Sequence, residues 1–268
     1  EIDPADVGQL RRQQLIVGKR VRIAPQRDLV VCATVEVVEN GPWQSAARQY
    51  AQVGHVMAVG QAAYEPVAVS HRGRIPELLK AVRILKKEVG DEVPVVAGII
   101  GPFTLAGSLI DTVPLLKASF KSPEKMRPWI ELGEKAGTML AKALIDAGAD
   151  IISCEDMTAS PELIAPKTYL DYELEYQSKQ FDAISVPTLL HICGRVGAIV
   201  EWMGQTGATV LSLEPKASAA LAREKCGPDA ILMGGVDTAT TLFMKDAATV
   251  KAGCEESIAD GIQILAPG

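Results

Sequence analysis

The sequence is poor in aromatic residues, in basic charge and in long apolar runs, and each shortage argues against a class of protein. Phe, Trp and Tyr make up only 4% of the 268 residues, so aliphatic side chains, Ala and Gly must fill the core. Lys and Arg (27) are outnumbered by Asp and Glu (33), and the net charge of −6 disfavours a general nucleic-acid binder, which needs a basic face. No uninterrupted apolar run approaches the ~20 residues of a membrane-spanning helix.

Cysteine is present but does not form a disulfide pattern. The five cysteines are widely spaced and odd in number, which fits a reduced compartment better than a disulfide framework. We interpret Cys154, Cys226 and Cys254 as ordinary thiols within a strand and two helices. Because the N-terminus also lacks a signal-peptide pattern, we expect a cytoplasmic protein with no nucleic-acid or membrane partner.

From residue 74 onward, apolar strand-like runs alternate with amphipathic helical segments. The clear strands are predicted at residues 93–100, 151–154, 186–190, 208–213, 231–233 and 262–265, and two weaker ones at 29–38 and 55–59 in an irregular N-terminal quarter. Eight strands alternating with helices is the count of a TIM barrel. We therefore predict an α/β fold, a single (β/α)8 barrel domain over residues 1–268. A doubly wound sheet is the alternative, but no G-x-G-x-x-G follows the first strand.

The strand predicted at 186–190 runs directly into His191 and Cys193. Residues i and i+2 of a strand share one face, so this imidazole and this thiolate point the same way. Side by side at a strand end they are half of a zinc site. A buried histidine beside a scattered cysteine is the plainer interpretation of the pair.

Other polar groups follow the predicted strands, and in a barrel the carboxyl ends of the strands carry the reactive groups. These ends present Glu155-Asp156, His191-x-Cys193, Glu214 and Asp237. Glu214 ends the strand after the one with His191 and Cys193, so it is a candidate third ligand. Three protein ligands with an open position describe a catalytic zinc site. The same groups could instead only solvate the loops.

Four motifs in a fixed order resemble a known family. They are Gly101-Pro102-Phe103-Thr104-Leu105-Ala106, Asp156 with Ser160-Pro161-Glu162, Leu190-His191-Ile192-Cys193-Gly194 and Ile264-Leu265-Ala266-Pro267-Gly268. Together they resemble the uroporphyrinogen decarboxylase superfamily. Within it, they are similar to the zinc-dependent methylcobamide:coenzyme M methyltransferases.

The resemblance implies an enzyme that moves a methyl group from a methylated corrinoid protein to a small thiol, with coenzyme M as the first acceptor to expect and zinc as the cofactor. In that family His191, Cys193 and Glu214 map onto zinc-site positions. Asp156 is a candidate catalytic residue that would orient the substrate or a ligand, or equally a carboxylate that caps a loop. The family adds a later cysteine in a Pro-Gly-Cys-Gly context. The chain stops at Gly268, where that cysteine would follow, so we expect a truncated C-terminus.

Two other functions stay open at this point. A uroporphyrinogen decarboxylase needs no metal but needs an arginine-rich N-terminal motif, and Arg-Gln-Ala-Gly-Arg is absent from the sequence. The His-x-Cys pair would also have no purpose there. A corrinoid- or thiol-binding barrel without catalysis is the other alternative, and only the missing later cysteine favours it.

Overall fold

The computed structural model describes residues 73–267, so the strands predicted at 29–38 and 55–59 lie outside the described residues. The elements are α1 (Ile75–Val89), β1 (Val96–Ile100), α2 (Pro102–Ile110), α3 (Thr112–Lys121), α4 (Arg127–Asp146), β2 (Ile151–Glu155), α5 (Pro166–Thr168, a wider turn Tyr169–Glu173, and Leu174–Asp182), β3 (Thr188–His191), α6 (Val200–Gln205), β4 (Val210–Ser212), α7 (Ala219–Cys226), β5 (Ile231–Gly234), α8 (Ala247–Ala259) and β6 (Ile264–Leu265). Within this range no helix has the length and apolar character to cross a membrane.

The described strands form one parallel sheet of six strands, arranged in the order β1 to β6 in which they occur in the chain. Each strand is joined to the next by at least one helix, as parallel pairing requires. Sequential parallel pairing through helices is the arrangement of βα units in an α/β barrel. The α/β class with a parallel sheet, predicted from the alternating runs, is confirmed.

Alternation along the strands gives the sheet two different faces. One face packs against the helices, and its buried strand residues include Ile99, Ile152, Leu190, Leu211 and Leu232. The opposite face, which we call the inner face, carries a smaller apolar cluster of Leu189, Val210, Ile264, Met233 and Ala266. Every strand position two residues beyond a member of this cluster also lies on the inner face, closer to the carboxyl ends of the strands. Polar residues on that face are therefore supported from below by an apolar layer.

Proline lies at or just before the beginning of two helices. Pro123–Lys125 forms a separate 3-10 turn before α4, which begins at Arg127. α5 begins at Pro166, where proline occupies the first turn. The preceding Ala165 has ψ 142°, the extended backbone that a following proline favours.

Candidate metal centre

Three side chains from two neighbouring strands meet on the inner face. His191 ends β3, Cys193 lies two residues further, and Glu214 lies two residues beyond the end of β4. Their potential ligand atoms all lie within 4.8 Å of one another, and all three residues are partly buried. The strand register explains the meeting, because His191 pairs with Ser212 and each strand continues by two residues to Cys193 and Glu214. The structure thus brings together one nitrogen, one sulfur and one oxygen donor.

The imidazole of His191 is fixed by a contact on each ring nitrogen. Nδ1 lies 3.1 Å from the Ser212 hydroxyl, and Nε2 lies 3.4 Å from the Cys193 sulfur. Metal-binding histidines commonly use one ring nitrogen for the ion and hydrogen-bond the other. Here Nε2 faces the other donors while Ser212 orients the ring through Nδ1. Sequence reasoning assigned no role to Ser212, although its place two residues before Glu214 puts it on the same face.

The electrostatic environment of Cys193 favours a bound cation. Burial, followed by the charge of Glu214 and a hydrogen bond to its carboxylate, raises the pKa of the Cys193 thiol to about 11, and Glu155 adds a smaller effect in the same direction. Without a cation this thiol is protonated at neutral pH. A divalent metal ion displaces that proton, since a coordinating thiol is deprotonated outright. A carboxylate and a thiol held this close together therefore fit a metal site.

The loop after β2 holds the backbone that carries Cys193. The Ser160 hydroxyl, in a side chain only 3% exposed, donates a hydrogen bond of 2.8 Å to the carbonyl oxygen of Cys193. Glu162 accepts a hydrogen bond of 3.3 Å from the N–H of Arg195. Between them, Gly194 has φ +85°, and a Cβ atom there would lie 2.8 Å from Cδ of Glu162. The Ser-Pro-Glu motif therefore stabilises the backbone turn at Cys193–Gly194, although none of its residues belongs to the three donors.

Asp156 directly follows the end of β2, the strand beside β3, but its side chain faces away from the three donors. Its carboxylate is fully buried and accepts hydrogen bonds from the Thr104 N–H and hydroxyl, both at 2.8 Å, and from the Gln177 amide at 2.9 Å. A fourth, longer contact of 3.4 Å comes from the N–H of Phe103. These backbone groups form the N-terminus of α2, where a carboxylate satisfies unpaired N–H groups and is stabilised by the helix dipole. The structure does not bring Asp156 together with the three donors, and its catalytic role stays a prediction.

Glu155 is a second inner-face residue, after Ser212, to which the sequence interpretation gave no specific role. It pairs with His191 across β2 and β3, and Ser153 donates a hydrogen bond of 2.5 Å to its Oε1. The signal was available in the sequence, because Glu155 ends a strand next to the one that ends at His191. Alternation allows only one of two consecutive strand-end residues to face the site. That residue is Glu155 rather than Asp156.

A second carboxyl group lies buried behind the site. Glu173, in the wider turn of α5, has no exposed surface. Burial, and then the nearby charge of Asp156, raise its pKa well above the ordinary carboxyl value. Gln177 links this region by donating to Asp156 and accepting from the Tyr169 hydroxyl. The raised pKa favours the neutral form of the Glu173 carboxyl group in the folded protein.

Comparisons with known proteins identify the family of the chain. The uroporphyrinogen decarboxylase (URO-D) family pattern matches residues 53–268. The chain belongs to this family. Among curated proteins, it is 35% identical over 205 residues to the methylcobamide:CoM methyltransferase MtaA of Methanosarcina barkeri (strain Fusaro / DSM 804), covering 76% of this chain and 60% of that protein. A uroporphyrinogen decarboxylase of Crocosphaera subtropica is less similar, with 25% identity over 183 residues, 64% of this chain and 51% of that protein.

A solved structure gives the same result for the fold. A methyltransferase from Methanosarcina mazei aligns with a TM-score of 0.74 and 34% identity, covering 78% of this chain and 62% of that one. The resemblance to the methylcobamide:CoM methyltransferase branch, predicted from four motifs, is confirmed. The chain spans about three fifths of the length of the curated methylcobamide:CoM methyltransferases that it matches.

Proposed function

We propose that this protein is a zinc-dependent methyltransferase that moves a methyl group from a methylated corrinoid protein to a small thiol, in the cytoplasm. The observation that carries the proposal is the group of nitrogen, sulfur and oxygen donors within 4.8 Å at two adjacent strand ends. Zinc commonly takes this donor chemistry, and three protein ligands leave a position for substrate. Coenzyme M is the first acceptor to test, because it stands in the names of the similar methyltransferases.

In this proposal His191, Cys193 and Glu214 hold the metal. Bound zinc supplies a Lewis acid that lowers the pKa of an incoming thiol, so that the nucleophilic thiolate is present at neutral pH. Ser212 keeps Nε2 of His191 directed at the other donors. Ser160 fixes the backbone of Cys193, so that its sulfur is held in place before substrate arrives.

The transfer itself is a displacement at carbon. The acceptor sulfur forms a bond to the methyl carbon while the bond between that carbon and cobalt breaks. Both electrons of the broken bond remain on cobalt, which passes from Co(III) to Co(I), and the proton of the thiol goes to solvent. The protein contributes orientation of the sulfur, and Leu189 and Val210 form part of an apolar layer below it.

The reaction can be tested with methylcobalamin in place of the methylated corrinoid protein. The zinc-loaded protein and a small thiol should demethylate it, and the cobalamin absorbance follows the reaction directly. Transfer should disappear on chelation and return with added zinc. Decarboxylation of uroporphyrinogen without any thiol-dependent change in cobalamin would contradict the proposal.

Metal content gives a separate test that does not depend on turnover. Elemental analysis should find one zinc per chain, and Cys193→Ala should lose most of it because alanine supplies neither the sulfur nor its charge. Cys254→Ala is the matched control, since it removes a partly buried thiol from α8. Equal zinc in the two variants would mean that Cys193 is not a ligand.

For Asp156 we propose a positioning role, supported by its contacts with the N-terminus of α2. Its backbone N–H also donates to the carbonyl oxygen of His191 at 2.9 Å, which joins the two strand ends. Asp156→Asn keeps the size but places an amide nitrogen among hydrogen-bond donors. We expect lower thermal stability and a lower kcat, with the KM of the thiol nearly unchanged. A variant with wild-type stability and a much higher KM would show that Asp156 touches the substrate.

A further inference from the structure

Helix α5 carries a stripe of polar side chains on its buried face. Tyr169, Glu173, Gln177 and Gln180 follow one another at the spacing of helical neighbours, and each is 0% exposed. Gln180 accepts a hydrogen bond of 3.3 Å from the thiol of Cys154 on β2, so the stripe faces the sheet. Polar groups are costly to bury unless they are hydrogen-bonded. A stripe of this kind therefore calls for a partner for each of its members.

Glu173 is the member of the stripe that lacks such a partner. The Tyr169 hydroxyl donates to Oε1 of Gln177 at 2.5 Å, and Nε2 of Gln177 donates to Oδ2 of Asp156 at 2.9 Å. By contrast, both carboxylate oxygens of Glu173 are buried, and neither has a hydrogen-bond partner among the described residues. A buried carboxylate without a partner is far more costly than a neutral polar group. Glu173 therefore needs something that removes or compensates its charge.

The carboxylate of Asp156 faces Glu173 from the end of β2. The N–H of Phe103 and the amide of Gln177 also adjoin Glu173, but both already contact Oδ2 of Asp156, at 3.4 and 2.9 Å. Three titratable side chains surround Glu173, and each is an acid: Asp156, Tyr169 and Cys154. Two carboxylates at close range repel each other, whereas a carboxylic acid donates a hydrogen bond to a carboxylate. A proton between the two groups therefore removes the repulsion and supplies the missing partner.

We propose that Glu173 keeps a proton and donates it in a hydrogen bond to Asp156, and that this carboxyl pair fastens α5 and α2 to the end of β2. Asp156 has an acceptor site for it. Its Oδ1 accepts the N–H and the hydroxyl of Thr104, both at 2.8 Å, whereas Oδ2 accepts one short bond from Gln177 and a longer backbone contact of 3.4 Å. The N–H of Asp156 donates to the carbonyl oxygen of His191 at 2.9 Å, so the pair lies directly behind the strand end that carries this donor.

Infrared difference spectroscopy at pH 7 detects the proton directly. Exposed carboxyl groups, with pKa values near 4, are ionised at this pH, so the C=O stretch of a protonated carboxyl group reports a buried acid. We expect this band in the unaltered protein and its loss in Glu173→Gln. Glu88→Gln, which removes an exposed carboxylate from α1, is the matched control and should keep it. In Asp156→Asn the band should move to higher frequency, because an amide oxygen accepts a weaker hydrogen bond than a carboxylate.

A double-mutant cycle measures whether the pair stabilises the fold. Gln and Met have similar length and volume, but only Gln can donate a hydrogen bond to Asp156. Glu173→Gln should therefore melt about 2–4 °C higher than Glu173→Met, the shift expected for one hydrogen bond in a domain of this size. In the Asp156→Ala background this difference should vanish or reverse, because the amide has lost its acceptor.

Absence of the protonated-carboxyl band from the unaltered protein, or its persistence in Glu173→Gln, would overturn the inference. An equal difference between the Gln and Met variants with and without Asp156 would also overturn it, because the partner of Glu173 would then be another group, such as a buried water. If Asp156→Ala does not fold, the spectra of the unaltered protein and of Glu173→Gln decide the outcome alone. Neither measurement needs a metal or a substrate, so the result is independent of the proposed function.

Discussion

Replacing Ser160 with alanine tests whether the loop after β2 positions Cys193, one of the three proposed metal ligands. The hydroxyl of Ser160 is 2.8 Å from the carbonyl oxygen of Cys193 and also accepts the N–H of Glu162 at 3.2 Å. Since Ser160 is only 3% exposed, water cannot easily replace the lost hydroxyl. Leaving these two partly exposed backbone groups without this partner should cost about 1 kcal/mol of stability, the net worth of a typical hydrogen bond.

The more specific effect of Ser160→Ala is on metal affinity. Loss of an outer partner of a metal ligand typically weakens binding by about 10- to 100-fold, or about 1.4–2.7 kcal/mol. Competition with a chromophoric chelator measures the zinc Kd at a temperature where the variant is fully folded. Ser119→Ala is the matched control, because Ser119 is 7% exposed and its hydroxyl donates to the carbonyl of Leu116 at 2.7 Å, on α3 outside the site. If both variants lose stability but keep the same zinc Kd, the positioning argument is refuted.

Three further predictions concern the surroundings of the site. Gly194→Ala should weaken zinc binding more than Gly207→Ala. Both glycines have φ +85°, so both substitutions strain the backbone, but only a Cβ atom at Gly194 would displace Glu162. Chelator competition measures the two zinc affinities. Glu173→Gln should raise the free energy of unfolding at neutral pH, because the raised pKa of Glu173 makes the folded protein retain a proton that the unfolded chain releases. Urea denaturation measures this gain in stability. The gain should vanish below about pH 4, where both the folded and the unfolded states are protonated. Zinc must displace the proton of Cys193, so the apparent zinc affinity should depend on pH. Between about pH 6 and 8, the affinity of the unaltered protein, corrected for the pH dependence of the chelator, should rise about tenfold more per pH unit than the affinity of Cys193→Ala.

Each of these predictions has an outcome that contradicts it. Equal zinc affinities for the two glycine variants would mean that Glu162 does not hold the Cys193–Gly194 turn. A Glu173→Gln variant whose stability depends on pH as the unaltered protein's does would show that Glu173 is not held neutral. Identical pH slopes in the unaltered protein and in Cys193→Ala would remove the thiol from the metal site.

Much of the arrangement could be predicted from the sequence because it depends on local periodicity. Strand alternation alone predicts that His191 and Cys193 share one face, and the order of the strands predicts that Glu214 lies beside them. The structure adds that His191 pairs with Ser212, and this register gives the distance of 4.8 Å or less among the donors. Register depends on contacts between strands, which a single sequence does not contain.

The choice between Glu155 and Asp156 shows where local reasoning stops. The two residues are adjacent, both are acidic and both follow the same strand, so composition and position do not distinguish them. Strand parity does distinguish them, but only when the last paired residue is known, and the strand predicted to end at residue 154 in fact includes Glu155. That one residue fixes which carboxylate pairs with His191 and which one turns towards the N-terminus of α2. A carboxylate at a strand end can therefore lie on the inner face of the sheet or on the face that packs against the helices. A shift of one residue in the strand boundary exchanges these two positions.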